Sequence, residues 1–283
     1  MKIDMSIVTF WSNGMEHTGK TLSIAAIATY MAIEHNYRSL IITTGYNDRS
    51  IENCFWQPKK KKKNLGLFGP NTKVDFEDGI SGLTKVMKSN KLSPDIIKNY
   101  TRTIFKDRLE VLQTFKEDEK EYLAVRHLYP EIVNLANKYY DLVFVDLDKQ
   151  EDDDVSEEIL QNSNLIVINL SQRLSSINSF MEVREKITVL NSKKTLLLFG
   201  RYDKYSKYNI KNISRYMGEK NKVSTIPYNT LFFEACEEAG VPDLFLKLRR
   251  QVSADDRNAF FLDEVKRTTE NIMYRLEDLQ MKG

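Results

Sequence analysis

The stretch Met5-Ser-Ile-Val-Thr-Phe-Trp-Ser-Asn-Gly14-Met-Glu-His-Thr-Gly19-Lys20-Thr21 decides the fold. Its first part, Met5 to Trp11, is a short apolar run closed by a Ser-Asn-Gly turn, the pattern of a buried strand. Its second part, Gly14-Met15-Glu16-His17-Thr18-Gly19-Lys20-Thr21, matches G-x-x-x-x-G-K-[ST] in full. Thr21 to Glu34 follows with Ile24, Ile27, Ala28 and Met31 at helical spacing, so the motif lies between a strand and a helix. That is the context its chemistry needs. The glycines let backbone N–H groups turn inward toward phosphate oxygens, and the helix that follows adds the positive end of its dipole. Lys20 is placed to reach the β- and γ-phosphates of a nucleotide, and the Thr21 hydroxyl to complete a Mg²⁺ shell. His17 fills a slot that supplies backbone rather than side-chain chemistry.

Working outward, the segments Ser39 to Thr43, Leu142 to Asp146, Leu165 to Leu170, Thr195 to Phe199 and Val223 to Pro227 read as further buried strands. Leu109 to Phe115 is another strand candidate. Helical stretches fall between them: Ile80 to Met87, Pro94 to Phe105, Tyr122 to Tyr139 with a break at Pro130, Ser175 to Val189, and Asn209 to Gly218. Two more helices close the chain. Near-continuous apolar strands alternating with helices predict βαβ units and a mostly parallel sheet covered on both faces. The expectation is one three-layer α/β/α domain over residues 1–283. Residues 54–79, with Pro, Gly and the run Lys59 to Lys63, read as a long loop.

Composition excludes several classes. Lys and Arg number 42 against 40 Asp and Glu, a net charge of +2, far from the basic excess of a DNA-coating protein. The 2 cysteines, Cys54 and Cys236, and 3 histidines form no CxxC, HExxH or other zinc spacing. Ile24 to Ile33 is too short an apolar stretch to span a bilayer. The start of the chain, with Asp4, lacks a charged-then-apolar signal pattern. A cytoplasmic setting is expected.

Asp146 ends the strand Leu142-Val-Phe-Val, where a phosphate-loop protein holds its Mg²⁺ through a carboxylate. Thr21 and Asp146 are therefore the predicted metal residues. Asp148, two positions on, reads as less well placed. The acidic run Glu151 to Asp154 reads as a solvated helix start.

These residues resemble the ParA/MinD family of P-loop ATPases along nearly the whole chain. "YYDLVFVDLD" (139–148) is similar to the family's strand ending in aspartate. "NLIVINLSQRLSSINSF" (164–180) is similar to its next strand and Ser-rich helix start. "KTLLLFGRYDK" (194–204) and "STIPYNTLFFEACEEAGVP" (224–242) resemble its base-binding segments. The resemblance implies ATP or ADP with Mg²⁺, contacted by residues 14–22, and action through protein partners and homodimers. Three positions depart from the family. Met15 stands where a second lysine usually reaches across a dimer. Leu22 replaces a hydroxyl residue at the α-phosphate. Gly45 matches the site of the carboxylate that orients the attacking water, for which Asn47 or Asp48 is the candidate substitute if the loop is shifted by a residue or two. These departures imply weak or absent hydrolysis.

The opening "TFWSNGMEHTGKT" (9–21) looks most like CpaE/TadZ-type members, which implies spatial positioning or assembly of pilus or secretion machinery. The alternative is an active ParA-type ATPase in DNA or plasmid segregation. For Lys59 to Lys63 at most weak DNA binding is expected, since five lysines neutralise few phosphates. The C-terminal stretch Ala259 to Leu279 carries Leu262, Val265, Ile272, Leu276 and Leu279 near helical spacing. Its polar face mixes acids and bases, so docking on the protein's own core is favoured over peripheral membrane contact.

Overall fold

The computed structural model describes residues 4–14, 17–57, 79–87, 93–148, 154–219, 223–251, 253 and 256–282. Eight strands form one sheet: β1 (Ser6–Trp11), β2 (Ser39–Thr43), β3 (Thr101–Phe105), β4 (Leu109–Leu112), β5 (Leu142–Asp146), β6 (Leu165–Leu170), β7 (Thr195–Tyr202) and β8 (Val223–Pro227). Their order across the sheet is β3-β4-β2-β5-β1-β6-β7-β8. Every pairing is parallel except β3 with β4.

Alternation along the strands sorts the core into two layers. Val8, Phe10, Ile41, Phe144, Val167 and Leu198 face one side. There they meet α1 (Lys20–Glu34), α2 (Ser50–Phe55), α9 (Thr230–Glu237), α10 (Val241–Gln251) and α11 (Arg257–Lys282). Ile7, Trp11, Leu40, Val143, Ile166 and Leu197 face the other. They meet α3 (Gly79–Met87), α4 (Glu119–Val125), α5 (Tyr129–Asn137), α6 (Asp154–Asn162), α7 (Leu174–Lys186) and α8 (Ile210–Met217). The α/β/α sandwich expected from the apolar strands is the observed architecture.

Two expectations are corrected, and the break expected at Pro130 is found just before it. Pro94 to Phe105 is not a helix: Pro94–Tyr100 is a 3-10 turn, and Thr101–Phe105 is the antiparallel edge strand β3. Tyr122 to Tyr139 breaks before Pro130, through a 3-10 turn at Arg126–Leu128, and Pro130 sits in the first turn of α5, where its missing N–H costs nothing. The strand beginning at Leu109 ends at Leu112. The lysine run Lys59 to Lys63 and the acids 151–153 lie outside the described residues.

Helix α11 docks as expected. Phe261, Val265, Ile272 and Leu276 are buried against the layer that holds α1, and Leu262 and Leu279 pack on it partly buried. Glu264 is buried but paired, accepting the Thr225 hydroxyl and facing Arg267 at 2.7 Å. No helix among the described residues is long and apolar enough to cross a membrane.

Candidate functional site

Sheet order places the site. The chain leaves central β1 toward β2 on one side and later fills β6, β7 and β8 on the other, so a crevice opens at the carboxyl ends of the strands around β1. The loop from β1 to α1 crosses this crevice. Gly14 and Gly19 adopt positive φ (77° and 72°), and His17 does so at 67°, a conformation costly for a residue with a Cβ. Gly19 is the left-handed N-cap of α1, and its carbonyl accepts the Ser23 N–H at 2.9 Å. The first turn of α1 holds no acidic residue, so its N-terminal dipole is left for an outside anion. Met15 and Glu16 lie outside the described residues.

Asp146 stands in register with Phe10 of β1 and Thr43 of β2, at the end of β5. Its carboxylate is buried and meets the Lys20 Nζ at 2.8 Å, and the Thr21 hydroxyl donates to it at 3.4 Å. Lys20 also donates to the Leu147 carbonyl. A buried carboxylate is tolerable here because the ammonium pairs with it. A hydroxyl and a carboxylate side by side form a hard-oxygen donor pair suited to Mg²⁺.

The neighbourhood of Gly45 holds what linear reading undervalued. The Asp148 N–H donates to Thr44 Oγ1 at 2.8 Å, which turns the chain after β5 back over the end of β2. A Cβ added to Gly45 would lie 3.2 Å from the Asp48 Cβ and 3.4 Å from the Asp148 Cβ. Two carboxylates thus flank the position without a side chain. Burial pushes the Asp148 carboxyl above the usual carboxylate range; Lys20 opposes this, and Asp146 and Asp48 reinforce it. Asp48 accepts the Ser50 N–H at 2.9 Å and so shapes the entry to α2. Asp148 therefore joins Asp48 at the site, against its placement by sequence spacing.

On the other flank, β7 presses against the loop. A Cβ on Gly200 would fall 2.2 Å from the Thr18 carbonyl oxygen, so only glycine admits the loop there. Arg201 follows at φ 53°, with its Nη1 3.4 Å from His17 Nδ1 and its guanidinium 5.9 Å from the Phe233 ring. Its Nε is buried without a hydrogen-bond partner among the described residues. Pro227, Tyr228 and Asn229, in the segment similar to a base-binding one, lie with Leu22, Arg201 and Phe233 around a small recess. Asn229 caps α9 through the Phe232 N–H at 2.9 Å. Beside the loop opens a cleft of about 460 Å³ walled by Gly19, Lys20 and Thr21, by Ser50, Asn53 and Cys54 of α2, and by Arg201, Phe233 and Cys236.

The fold is shared with solved ATPases. A ParA family ATPase from Chlorobium tepidum TLS superposes with a TM-score of 0.66 at 13% identity, covering 96% of this chain and 99% of that one. The cell division ATPase MinD of Pyrococcus furiosus gives 0.64 at 14% identity, covering 95% and 98%. The septum site-determining protein MinD of Pyrococcus horikoshii OT3, complexed with Mg-ADP, gives 0.62 at 14% identity, covering 92% and 93%. No protein-family model and no curated protein sequence matches the chain.

Proposed function

We propose that this chain is a cytoplasmic, single-domain protein that binds ATP or ADP with Mg²⁺, turns it over slowly or not at all, and acts in positioning or assembly of a cellular machine. One observation carries the nucleotide reading: Lys20 and Thr21, at the start of α1, converge on Asp146 at the end of β5. In this reading residues 14–19 wrap the phosphates with backbone N–H groups, and Leu22 borders the α-phosphate side. Lys20 exchanges its present carboxylate partner for phosphate oxygens, while Thr21 and Asp146 hold the metal. Bound Mg²⁺ would supply charge neutralisation at the β- and γ-phosphates. The Mg-ADP found in the MinD neighbour supports this assignment by analogy of fold.

Slow turnover follows from Gly45 and Met15. A glycine cannot hold a water in line, and methionine cannot bring a cation to a partner's phosphate; each lost group costs on the order of 10²–10³ in rate. Protein partners and homodimers are the mode of action implied by resemblance, with pilus or secretion assembly the specific setting. A second reading, an active ATPase of DNA segregation, draws on Asp48 and Asp148 at either side of Gly45. Phosphate release by the purified chain, with Lys20→Ala as background, separates the two. Turnover near background supports the first; several turnovers per minute that vanish in Lys20→Ala and fall in Asp148→Asn support the second.

A further inference from the structure

Helix α8 and the loop before it carry a charge pattern unlike that of the whole chain. The run Lys207 to Tyr216 holds Lys207, Lys211 and Arg215 and no acid, while the chain carries 42 basic against 40 acidic residues. Beside these cations a recess of about 480 Å³ opens between α7 and α8. Ile177 and Ile213, both buried, line it, and Leu174, Tyr208 and Tyr216 border it. Leu174 is 39% exposed and Tyr216 54%. Lys207 and Arg215 edge the recess, and Lys211 stands one turn before Arg215 on the same helix face. The acids of α7, Glu182 and Glu185, begin about 12 Å along its axis from Leu174. The groove is also braced. Gln172 Nε2 donates to the carbonyls of Asp203 and Tyr208, and its Oε1 accepts the Asp203 N–H at 2.7 Å. Asn212 Nδ2 donates to the Lys207 carbonyl at 2.8 Å, and Asn209 caps α8 through the Asn212 N–H. The Tyr216 hydroxyl donates to Asn178 Oδ1 at 2.8 Å, which ties α8 to α7. Side chains fixed in advance lose little freedom on binding.

We propose that the groove between α7 and α8 docks an acidic amphipathic helix of a partner protein. Apolar side chains at i, i+3 or i+4, and i+7 of that helix fill the recess over Ile177 and Ile213, and carboxylates beside them face Lys207, Lys211 and Arg215. The shape and the charge together select this occupant. Duplex DNA offers phosphates but nothing apolar for the recess, and a bilayer surface is too flat to enter it. A symmetric contact with a second copy would set the three cations against their own counterparts. The ridge of a third helix, in contrast, packs between two others. Lys20, Thr21 and Asp146 are not among the residues that border the groove. The docking therefore does not rest on the nucleotide reading.

The test selects a display library of helical peptides, about 18 residues or five turns long, on the intact chain. Counter-selection uses the double variant Lys211→Glu, Arg215→Glu; both side chains are exposed, and an unchanged melting temperature checks the fold. Enriched peptides should be net acidic with leucine or phenylalanine at helical spacing. The best of them, labelled with a fluorophore, should bind with micromolar affinity by anisotropy. The double variant and Leu174→Asp should each weaken it about tenfold, and Lys20→Ala should bind it as the unaltered chain does. Exchanging the peptide's carboxylates for lysine should abolish binding to the unaltered chain and restore it on the double variant. Enrichment of basic peptides, no enrichment, or equal binding by the variants would overturn the proposal. So would capture of phosphatidylserine vesicles or duplex DNA by these cations with no peptide bound, or self-association of the chain that Leu174→Asp abolishes. If the chain binds the peptide but no Mg-ADP, the nucleotide reading fails and the docking stands.

Discussion

Replacing Gly200 by alanine should disable the nucleotide site without touching any residue that contacts phosphate through its side chain. The added Cβ would fall 2.2 Å from the Thr18 carbonyl oxygen and 3.1 Å from the Gly19 Cα. Carbon and oxygen pack no closer than about 3.3 Å, even in favourable C–H···O contacts, so the loop must move by roughly 1 Å. A displacement of that size in a positioned site costs on the order of 10²-fold. At nucleotide equal to about 100 Kd, binding stabilises the native chain by about 2.7 kcal/mol. The unfolding entropy of a chain of 283 residues is about 0.6 kcal/mol/K, so the melting temperature should rise by about 4–5 °C. A hundredfold weaker site at the same concentration gives about 0.4 kcal/mol, a rise below about 1 °C. Differential scanning fluorimetry with and without Mg-ADP reads both values. Gly240→Ala is the control, since its Cβ would meet nothing closer than 3.8 Å and the backbone there has ordinary φ. A Gly200→Ala protein that keeps the full 4–5 °C rise, about what the intact loop gives, would refute the close-packing argument.

Asp146→Asn should leave Mg²⁺-free ADP binding largely intact and remove the gain that Mg²⁺ gives, read by titration with and without chelator. Equal Mg²⁺ dependence in both proteins counts against Asp146 as the metal residue. Ile272→Ala empties a fully buried position under α11 and should cost about 2–5 kcal/mol, read as a lower urea midpoint at unchanged slope; a loss below about 0.5 kcal/mol would mean α11 is only loosely docked. For the lysine run, DNA binding should be weak, with a log-affinity slope against log salt no steeper than about −4.5. Tight duplex binding at physiological salt, lost on replacing Lys59 to Lys63 with glutamine, would favour the segregation reading.

Most of the sheet was legible because a parallel strand buried on both faces must be apolar throughout, and Leu142-Val-Phe-Val or Leu165-Ile-Val-Ile admits no other reading. The edge strand β3 was not, because Arg102 and Thr103 are exposed and Pro94 upstream mimics a helix start. The place of the glycine-rich loop between β1 and α1, and of Asp146 at the end of β5, was legible because both are local to a strand end. Asp148 was undervalued because its position depends on Thr44, just past the end of β2, which catches its backbone N–H. Gly200 against Thr18 is a contact between segments far apart in sequence. No spacing rule encodes it, since sheet order alone brings those segments together.

The central claim is that Lys20, Thr21 and Asp146 form a Mg²⁺-nucleotide site. Isothermal titration of Mg-ADP into the purified chain, beside Lys20→Ala, tests it most directly. The account predicts one site per chain with micromolar affinity and no measurable binding in Lys20→Ala. An absence of heat in the unaltered protein at millimolar nucleotide, or equal binding by the variant, would contradict it.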